Sequence, residues 1–215
     1  MGHLIPEVIL IGLGAAVSPV AIMILLSIMV KKNARRNSLL FLAGFTVVLV
    51  AIGIVGLLVF GAGDAGRHPA SFDGWIDIAL GLICVALIPY AWKKKPRQQK
   101  PEDEGMKPWR AFTLGSIAMF INTSTFVLYV SGTHAIAQAK GITGLDEGVA
   151  FVVLTLATLI SLLVPIAIYQ IFPGRSEKLM DALGAWLARH SKIITVVILL
   201  IFAVFLLWKG ISQVA

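Results

Sequence analysis

Residues 8–30 read VILIGLGAAVSPVAIMILLSIMV, an apolar stretch without Asp, Glu, Lys or Arg, and this stretch decides the fold class. A helix that crosses the hydrocarbon core of a bilayer needs about 20 predominantly apolar residues at a rise of 1.5 Å each. The stretch is long enough, so it predicts a membrane-spanning helix. The dipeptide Ser18-Pro19 lies near its middle, where proline removes a helical hydrogen-bond donor.

The composition of the whole chain agrees with this interpretation. Of its 215 residues, 58% are hydrophobic and 13% are charged, and the mean hydropathy is +0.92. Soluble domains carry roughly 25% charged residues. The composition therefore excludes an ordinary soluble domain, and the single cysteine, Cys84, excludes a disulfide framework or a dithiol relay.

Apolar stretches of similar kind recur along the chain and predict an all-α integral membrane protein with six transmembrane helices. Some are interrupted by a single acidic residue or are shorter than the first, and the shorter ones end in Trp-Lys, which is typical of a membrane interface. The predicted spans are residues 8–30, 38–62, 75–92, 111–139, 148–172 and 193–210.

The basic residues predict the orientation. Loops one, three and five between the spans hold 15 of the 18 Lys and Arg residues. Cytoplasmic loops of membrane proteins carry such an excess, so we expect these loops in the cytoplasm and both termini outside the inner (plasma) membrane. The net charge of +7 then reflects topology, and no nucleic-acid partner is expected.

Spacings within the chain suggest an internal repeat. Gly12 precedes Pro19 by seven residues as Gly115 precedes Asn122, and Trp-Lys ends both the third and the sixth span. Three spans per half is an odd number, so the two three-helix repeats are predicted to be inverted. The repeats are residues 1–92 and 110–215, joined by a cytoplasmic linker at 93–109, and the second contains an amphipathic interfacial helix at 176–190.

Polar residues in the first and fourth spans are the candidate substrate-binding and translocation residues. Ser18 and Pro19 interrupt the first span, and Asn122, Thr123 and Thr125 lie in a polar run at the corresponding place of the fourth. Paired interruptions form the substrate site of inverted-repeat transporters, where half-helix N-termini offer N–H groups to anions. Harmless kinks and hydrogen bonds between helices are the structural alternatives.

Ionisable residues lie only toward the ends of the spans. Asp77 and Glu7 are expected near the outer interface, solvated by headgroups and water, and Asp77 is also a candidate on the path of a headgroup. His134 is expected to be packed or solvated there, and Lys209 to anchor the sixth span with Trp208. Coupling to protons or metals through a buried carboxylate is not favoured, and the energy source stays open.

The sequence lacks the motifs of common enzyme classes. It contains no His-Glu-x-x-His, Gly-x-Ser-x-Gly or Cys-x-x-Cys pattern and no phosphate-binding loop. We therefore expect no enzyme activity, no catalytic residue, no metal site and no cofactor.

Three segments together carry a family resemblance: GLGAAVSP at 12–19, FLAG at 41–44, and the stretch from WLARH at 186–190 to WKG at 208–210. The chain resembles the peptidoglycolipid addressing proteins, including the sulfolipid addressing proteins, of the lysine exporter superfamily, over nearly its whole length. Ser18-Pro19 matches the Ser-Pro of that family. Relatives often have Asn-Pro where this chain has Asn122-Thr123.

The resemblance implies export or flipping of a lipid or glycolipid across the inner membrane toward the cell surface. An interior without fixed charges at mid-membrane also favours a lipid-tailed substrate over a naked ion. Two alternatives remain: a small-solute or ion exporter of the same superfamily, and a scaffold subunit of an envelope-lipid biosynthesis or export complex. Membrane lipids or glycolipids are the expected partners, and a homodimer is open.

Overall fold

The structure is a computed structural model that describes residues 3–61, 70–93, 106–139, 141–171 and 173–214. The regular elements of the described residues are all helices, which confirms the predicted all-α class. In chain order they are α1 (Leu4–Ala16), α2 (Pro19–Met29), α3 (Ala34–Gly61), α4 (Ala70–Lys93), α5 (Pro108–Ile121), α6 (Thr123–Ala137), α7 (Gly144–Ile171) and α8 (Pro173–Val214).

Four of these helices are long and apolar enough to cross a membrane alone: α3, α7, and the parts of α4 and α8 at Gly74–Trp92 and Arg189–Ser212. Two bent pairs pass the same test when each is taken together, α1 with α2 and α5 with α6. The chain is thus a multi-pass membrane protein with four spans, or up to six if each bent pair is one span.

Proline causes the first bend. The α1 and α2 axes differ by 58°, and Val17 and Ser18, between them, have non-helical backbone angles. Pro19 begins α2, where its missing N–H costs nothing because the first N–H groups of a helix have no intrahelical acceptor.

Asparagine replaces proline at the second bend, which is sharper, at 75°. Asn122 has φ −88° and ψ 70°, which ends α5, and its carbonyl accepts the Phe126 N–H that begins α6. Asparagine has a low helix propensity, which disfavours a continuous helix at this position. The interruption predicted at Asn122 is therefore present without proline. Because the residues before α2 and α6 are Ser18 and Asn122, the breaks align one residue away from the predicted Pro19–Asn122 pairing.

The helix contacts in the two halves of the chain correspond to each other. α1 packs along α7 and α5 along α3, while α4 packs along α8. Glycine permits two of these crossings: an added Cβ on Gly115 would collide with the Phe41 carbonyl oxygen of α3, and one on Gly12 would lie 2.7 Å from the Ala157 Cβ of α7. α6 lies in the middle and is buried on nearly every face.

Contacts between helix ends define two ends of the bundle. At one, which we call the terminal end, Lys209 near the end of α8 contacts Glu7 near the start of α1. At the opposite end, Asn37 of α3 donates to the Met106 carbonyl before α5, over 3.2 Å, and Gln170 of α7 donates to the Arg35 carbonyl. This grouping of helix ends is the one expected from the basic loops.

Some predicted segments have a different outcome, and others lie partly outside the described residues. The predicted interfacial helix 176–190 and the span 193–210 form one continuous helix, α8. Of the predicted linker 93–109, residues 94–105 lie outside the described part of the chain. Residues 62 and 172, which end the predicted second and fifth spans, also lie outside it.

Candidate functional site

The two breaks touch each other inside the bundle. The Asn122 side-chain amide donates to the hydroxyl of Ser18 and, over 2.6 Å, to the hydroxyl of Thr125. Thr125 donates to the Ala15 carbonyl of α1 over 2.8 Å, and Ser124 donates to the Asn122 side-chain oxygen over 3.1 Å. We call Ser18, Asn122, Ser124 and Thr125 the break junction. It joins the bend between α1 and α2 directly to the bend between α5 and α6.

All four side chains of the break junction are buried, so their hydrogen bonds are made away from solvent. Pro19 is buried beside Ser18, and Thr123 is half-buried beside Asn122. The bond from Thr125 to Ala15 satisfies a carbonyl near the end of α1, where carbonyls lose their helical partners. Five of the six residues predicted from sequence, all except Asp77, are therefore together at this place.

Two helix N-termini meet at the break junction. α2 begins at Pro19 and runs to the opposite end of the bundle, whereas α6 begins at Thr123 and runs to the terminal end. The first N–H groups of each helix have no intrahelical acceptor, and each N-terminus carries the positive end of a helix dipole. Such a pair of N-termini, with hydroxyl and amide groups beside it, is suited to hydrogen-bond an anionic or hydroxyl-rich group.

Asp77 belongs to a second site at the terminal end, which we call the charged cluster: Glu7 of α1, Asp77 of α4, His134 of α6 and Lys209 of α8. Lys209 Nζ lies 2.6 Å from Glu7 Oε1 and 3.8 Å from Asp77 Oδ2. His134 Nδ1 lies 3.2 Å from Asp77 Oδ1. His134 follows Asn122 by twelve residues, about 18 Å along α6, so the two sites are separate.

The burial of Asp77 corrects the expectation that its carboxylate is solvated at the interface, whereas Glu7 is partly exposed. Asp77 and His134 are each 1% exposed, while Glu7 and Lys209 are 28% and 21% exposed at their side chains. Trp208 is 71% exposed, as an interfacial anchor would be, but Lys209 turns to the carboxylates instead. Charged side chains in a membrane bundle face the interior and pair with one another, which explains the difference.

Sequence reasoning missed the partners within this cluster, although one signal could have found them. Glu7, Asp77 and Lys209 are ionisable residues close to one predicted membrane face, so mutual pairing is the expected solution for them. Nothing in the sequence pattern identifies His134 as the fourth member.

α6 also makes a polar contact with α7 that the sequence did not indicate. The Tyr129 hydroxyl lies 2.9 Å from the Thr155 hydroxyl, and Thr155 donates to the Phe151 carbonyl one turn back on its own helix. Both side chains are buried. A polar contact thus joins α6 to α7 between the break junction and the charged cluster.

Comparison with known proteins gives one match. The family model described as Sap, sulfolipid-1-addressing protein, matches residues 8–212. No curated protein and no solved structure matches the chain. The matched segment contains the whole break junction and every residue of the charged cluster except Glu7.

Proposed function

The chain belongs to the sulfolipid-1-addressing protein family, and from that premise we propose that it exports or flips a lipid or glycolipid with an anionic headgroup across the inner membrane toward the cell surface. The proposal assigns transport and no catalytic step. A sulfolipid carries a negatively charged sulfur group, so its headgroup is the part that needs polar contacts within the membrane.

The break junction is the observation that carries this proposal. It lies where two broken spans meet, and it combines the N-termini of α2 and α6 with the polar side chains of Ser18, Asn122 and Thr125. An anionic headgroup bound there would gain N–H donors and two positive dipole ends without meeting a fixed charge. In this structure the junction residues bond to one another, so a bound headgroup would replace those bonds.

The apolar surface of the bundle suits the tails of such a substrate. The outward-facing residues of α3 between Leu39 and Ile54 are all apolar except Thr46. Acyl chains passing along this side of α3 would stay in contact with hydrocarbon while the headgroup crosses near the break junction. This division fits a lipid better than a small soluble solute.

We further propose that α1–α4 and α5–α8 are two inverted repeats of three spans each. If α1 corresponds to α5 and α7 to α3, the contact of α1 with α7 corresponds to the contact of α5 with α3. A glycine, Gly12 or Gly115, lies at each of these two crossings. The break before Pro19 likewise corresponds to the break before Thr123. Inverted repeats favour alternating access around a site at their interface, which is where the break junction lies.

Native mass spectrometry of the purified protein tests the bound substrate. The protein, released gently from detergent, is expected to retain a glycolipid or phospholipid, and Asn122→Ala with Ser18→Ala is expected to lose it. Thr158→Ala is the matched control, since Thr158 is buried but bonds only within its own helix. Retention of lipid by a folded double variant would reject the junction as the headgroup site.

Reconstitution tests transport itself. Vesicles containing the protein are loaded with a lipid bearing a fluorescent, anionic headgroup, and the fraction that changes leaflet is followed by quenching from outside. Wild type and Thr158→Ala should move the lipid, and the double variant should move it at least about tenfold more slowly, a loss of about 1.4 kcal/mol or more at the barrier. Equal rates in empty and protein-containing vesicles would reject flipping, and stabilisation by a soluble ion or amine would favour a small-solute exporter.

A further inference from the structure

The charged cluster has an unequal number of positive and negative groups. In their ordinary states Glu7 and Asp77 each carry a negative charge and Lys209 carries one positive charge, so the cluster is neutral only if it holds an added proton. Asp77 and His134 are the buried members of the cluster, each 1% exposed, and an unbalanced charge buried within a membrane bundle is costly. A proton held by this buried pair would make the cluster neutral.

The hydrogen bonding identifies where that proton can sit. Among the described residues, Asp77 Oδ2 and His134 Nδ1 are buried atoms without a hydrogen-bond partner, although Nδ1 lies 3.2 Å from Asp77 Oδ1. With the single ring proton of a neutral imidazole on Nδ1, or with an added proton on Asp77, this contact becomes a hydrogen bond after a small rotation of the ring. The Phe60 ring lies edge-on to His134 at 4.9 Å and covers it with apolar surface.

Gln138 contacts the other nitrogen of the same imidazole. Its side-chain amide lies 2.7 Å from His134 Nε2. An imidazole that carries one proton, on Nδ1, accepts a hydrogen bond from the amide N–H at Nε2, whereas an imidazolium donates from both nitrogens. Addition of a proton to Nε2 thus requires the amide of Gln138 to turn over and present its oxygen.

We propose that Asp77 and His134 form a proton-binding site that holds one exchangeable proton at the terminal end, and that its uptake and release is coupled to the movement of the substrate. The charged groups that face it among the described residues are Glu7 of α1 and Lys209 of α8. The proton belongs to the Asp77–His134 pair as a whole. The coupling rests on the function proposed above, whereas the proton site itself does not.

α6 supplies the connection between the two sites. It begins at Thr123, directly after Asn122 of the break junction, and carries His134 in its last turn. Because α6 is packed against other helices on nearly every face, a displacement at His134 would also move the rest of the helix. Protonation changes what His134 offers to Asp77 on α4, and a shift of α6 relative to α4 would also move the N-terminus that contacts Ser18.

Proton uptake tests the site without any transport. A rapid acidification of the purified protein from about pH 8 to about pH 5, followed with an indicator dye, should consume about one proton more in wild type than in the Asp77→Asn, His134→Gln double variant, because every other residue is the same in both. Glu147→Gln removes a carboxylate from the same end and serves as the control for the loss of one acidic residue. Equal uptake by wild type and the double variant would overturn the proposal.

A pH gradient across reconstituted vesicles tests the coupling. With one proton exchanged per lipid, a gradient of about one pH unit shifts the distribution of lipid between leaflets by about tenfold. Wild type and Glu147→Gln should show this shift, and Asp77→Asn and His134→Gln should show none. Lipid movement in wild type that ignores the gradient overturns the coupling and leaves the transport function intact, whereas proton uptake without lipid movement supports the site and rejects that function.

Discussion

Ser18 and Asn122 are the residues through which the two breaks touch, and Asn122 makes most of the bonds. The amide donates to Ser18 and Thr125, and its oxygen accepts from Ser124. An asparagine without a following proline thus lies at the break between two helices, where its side chain bonds to three neighbouring side chains, and one of these, Thr125, donates to the free Ala15 carbonyl of α1. The cost is that the junction depends on this one amide.

Asn122→Ala should accordingly destabilise the fold. It leaves the Ser18 hydroxyl without its donor in a buried place and removes the acceptor of Ser124, which we expect to cost about 1–3 kcal/mol. Thermal unfolding in mild detergent should show a lower midpoint than wild type. Thr158→Ala, which loses only a bond to the Leu154 carbonyl of its own helix, should lie close to wild type, and an equal loss in both variants would contradict the assignment.

Lys209 is expected to make a comparable contribution to the free energy of unfolding at the terminal end. Lys209→Met removes the cation next to Glu7 and Asp77, and we expect a loss of about 1–3 kcal/mol, below the usual cost of breaking a fully buried pair because Lys209 is partly exposed. Adding Glu7→Gln should recover part of this loss, since fewer negative charges then remain unpaired. A double-mutant cycle of unfolding free energies measures the recovery, with Lys192→Met on the same helix as control. Strictly additive losses would show that Lys209 does not compensate Glu7.

At the scale of helices, close approach of α3 and α5 depends on reciprocal glycines. An added Cβ on Gly44 would collide with the Phe112 carbonyl oxygen, and one on Gly115 would collide with that of Phe41. Ser116 of α5 also donates to the Gly44 carbonyl, over 3.3 Å. Small residues let membrane helices approach closely, and here each glycine contacts the backbone of the partner helix.

Gly115→Ala should therefore force α5 away from α3. A carbonyl oxygen belongs to the helix backbone and cannot turn aside as a side chain can, so we expect a loss of about 1–3 kcal/mol or failure to accumulate in the membrane. Unfolding in detergent and expression level measure this. Gly148→Ala, in α7, is the matched control because no atom lies within 4 Å of its added Cβ. Comparable behaviour of the two variants would refute the tight crossing.

The helices and their breaks could be predicted from sequence because each depends on neighbouring residues. Apolar length predicts a span, Pro19 predicts a break, and a polar run predicts the place of a second break at Asn122. The charged cluster could not be predicted in this way, since Glu7 and Lys209 lie near opposite ends of the chain and meet only in the packed bundle. The amphipathic pattern at 176–190 indicated a helix but could not show that it continues into the sixth span.

At the scale of the whole molecule, the contacts between helix ends separate two sets of loops. α1 begins and α8 ends at the terminal end, whereas the starts of α3 and α5 meet at the opposite end, next to the basic first and third loops. An excess of Lys and Arg is typical of the cytoplasmic side. From the charge pattern we predict that the opposite end faces the cytoplasm and that the charged cluster faces the outside of the cell.

Labelling of single cysteines in whole cells tests this orientation. Cys84 is fully buried, so wild type should react little with a membrane-impermeant maleimide. Ser212→Cys, at the exposed end of α8, should be labelled on intact cells, because a terminal end that faces outward presents it to the reagent. Arg36→Cys, at the exposed start of α3, should be labelled only after the membrane is opened, since the first loop is then cytoplasmic. The reverse pattern would place the proton site on the cytoplasmic side and reverse the gradient direction needed for export, while labelling of both on intact cells would contradict the separation of the two ends.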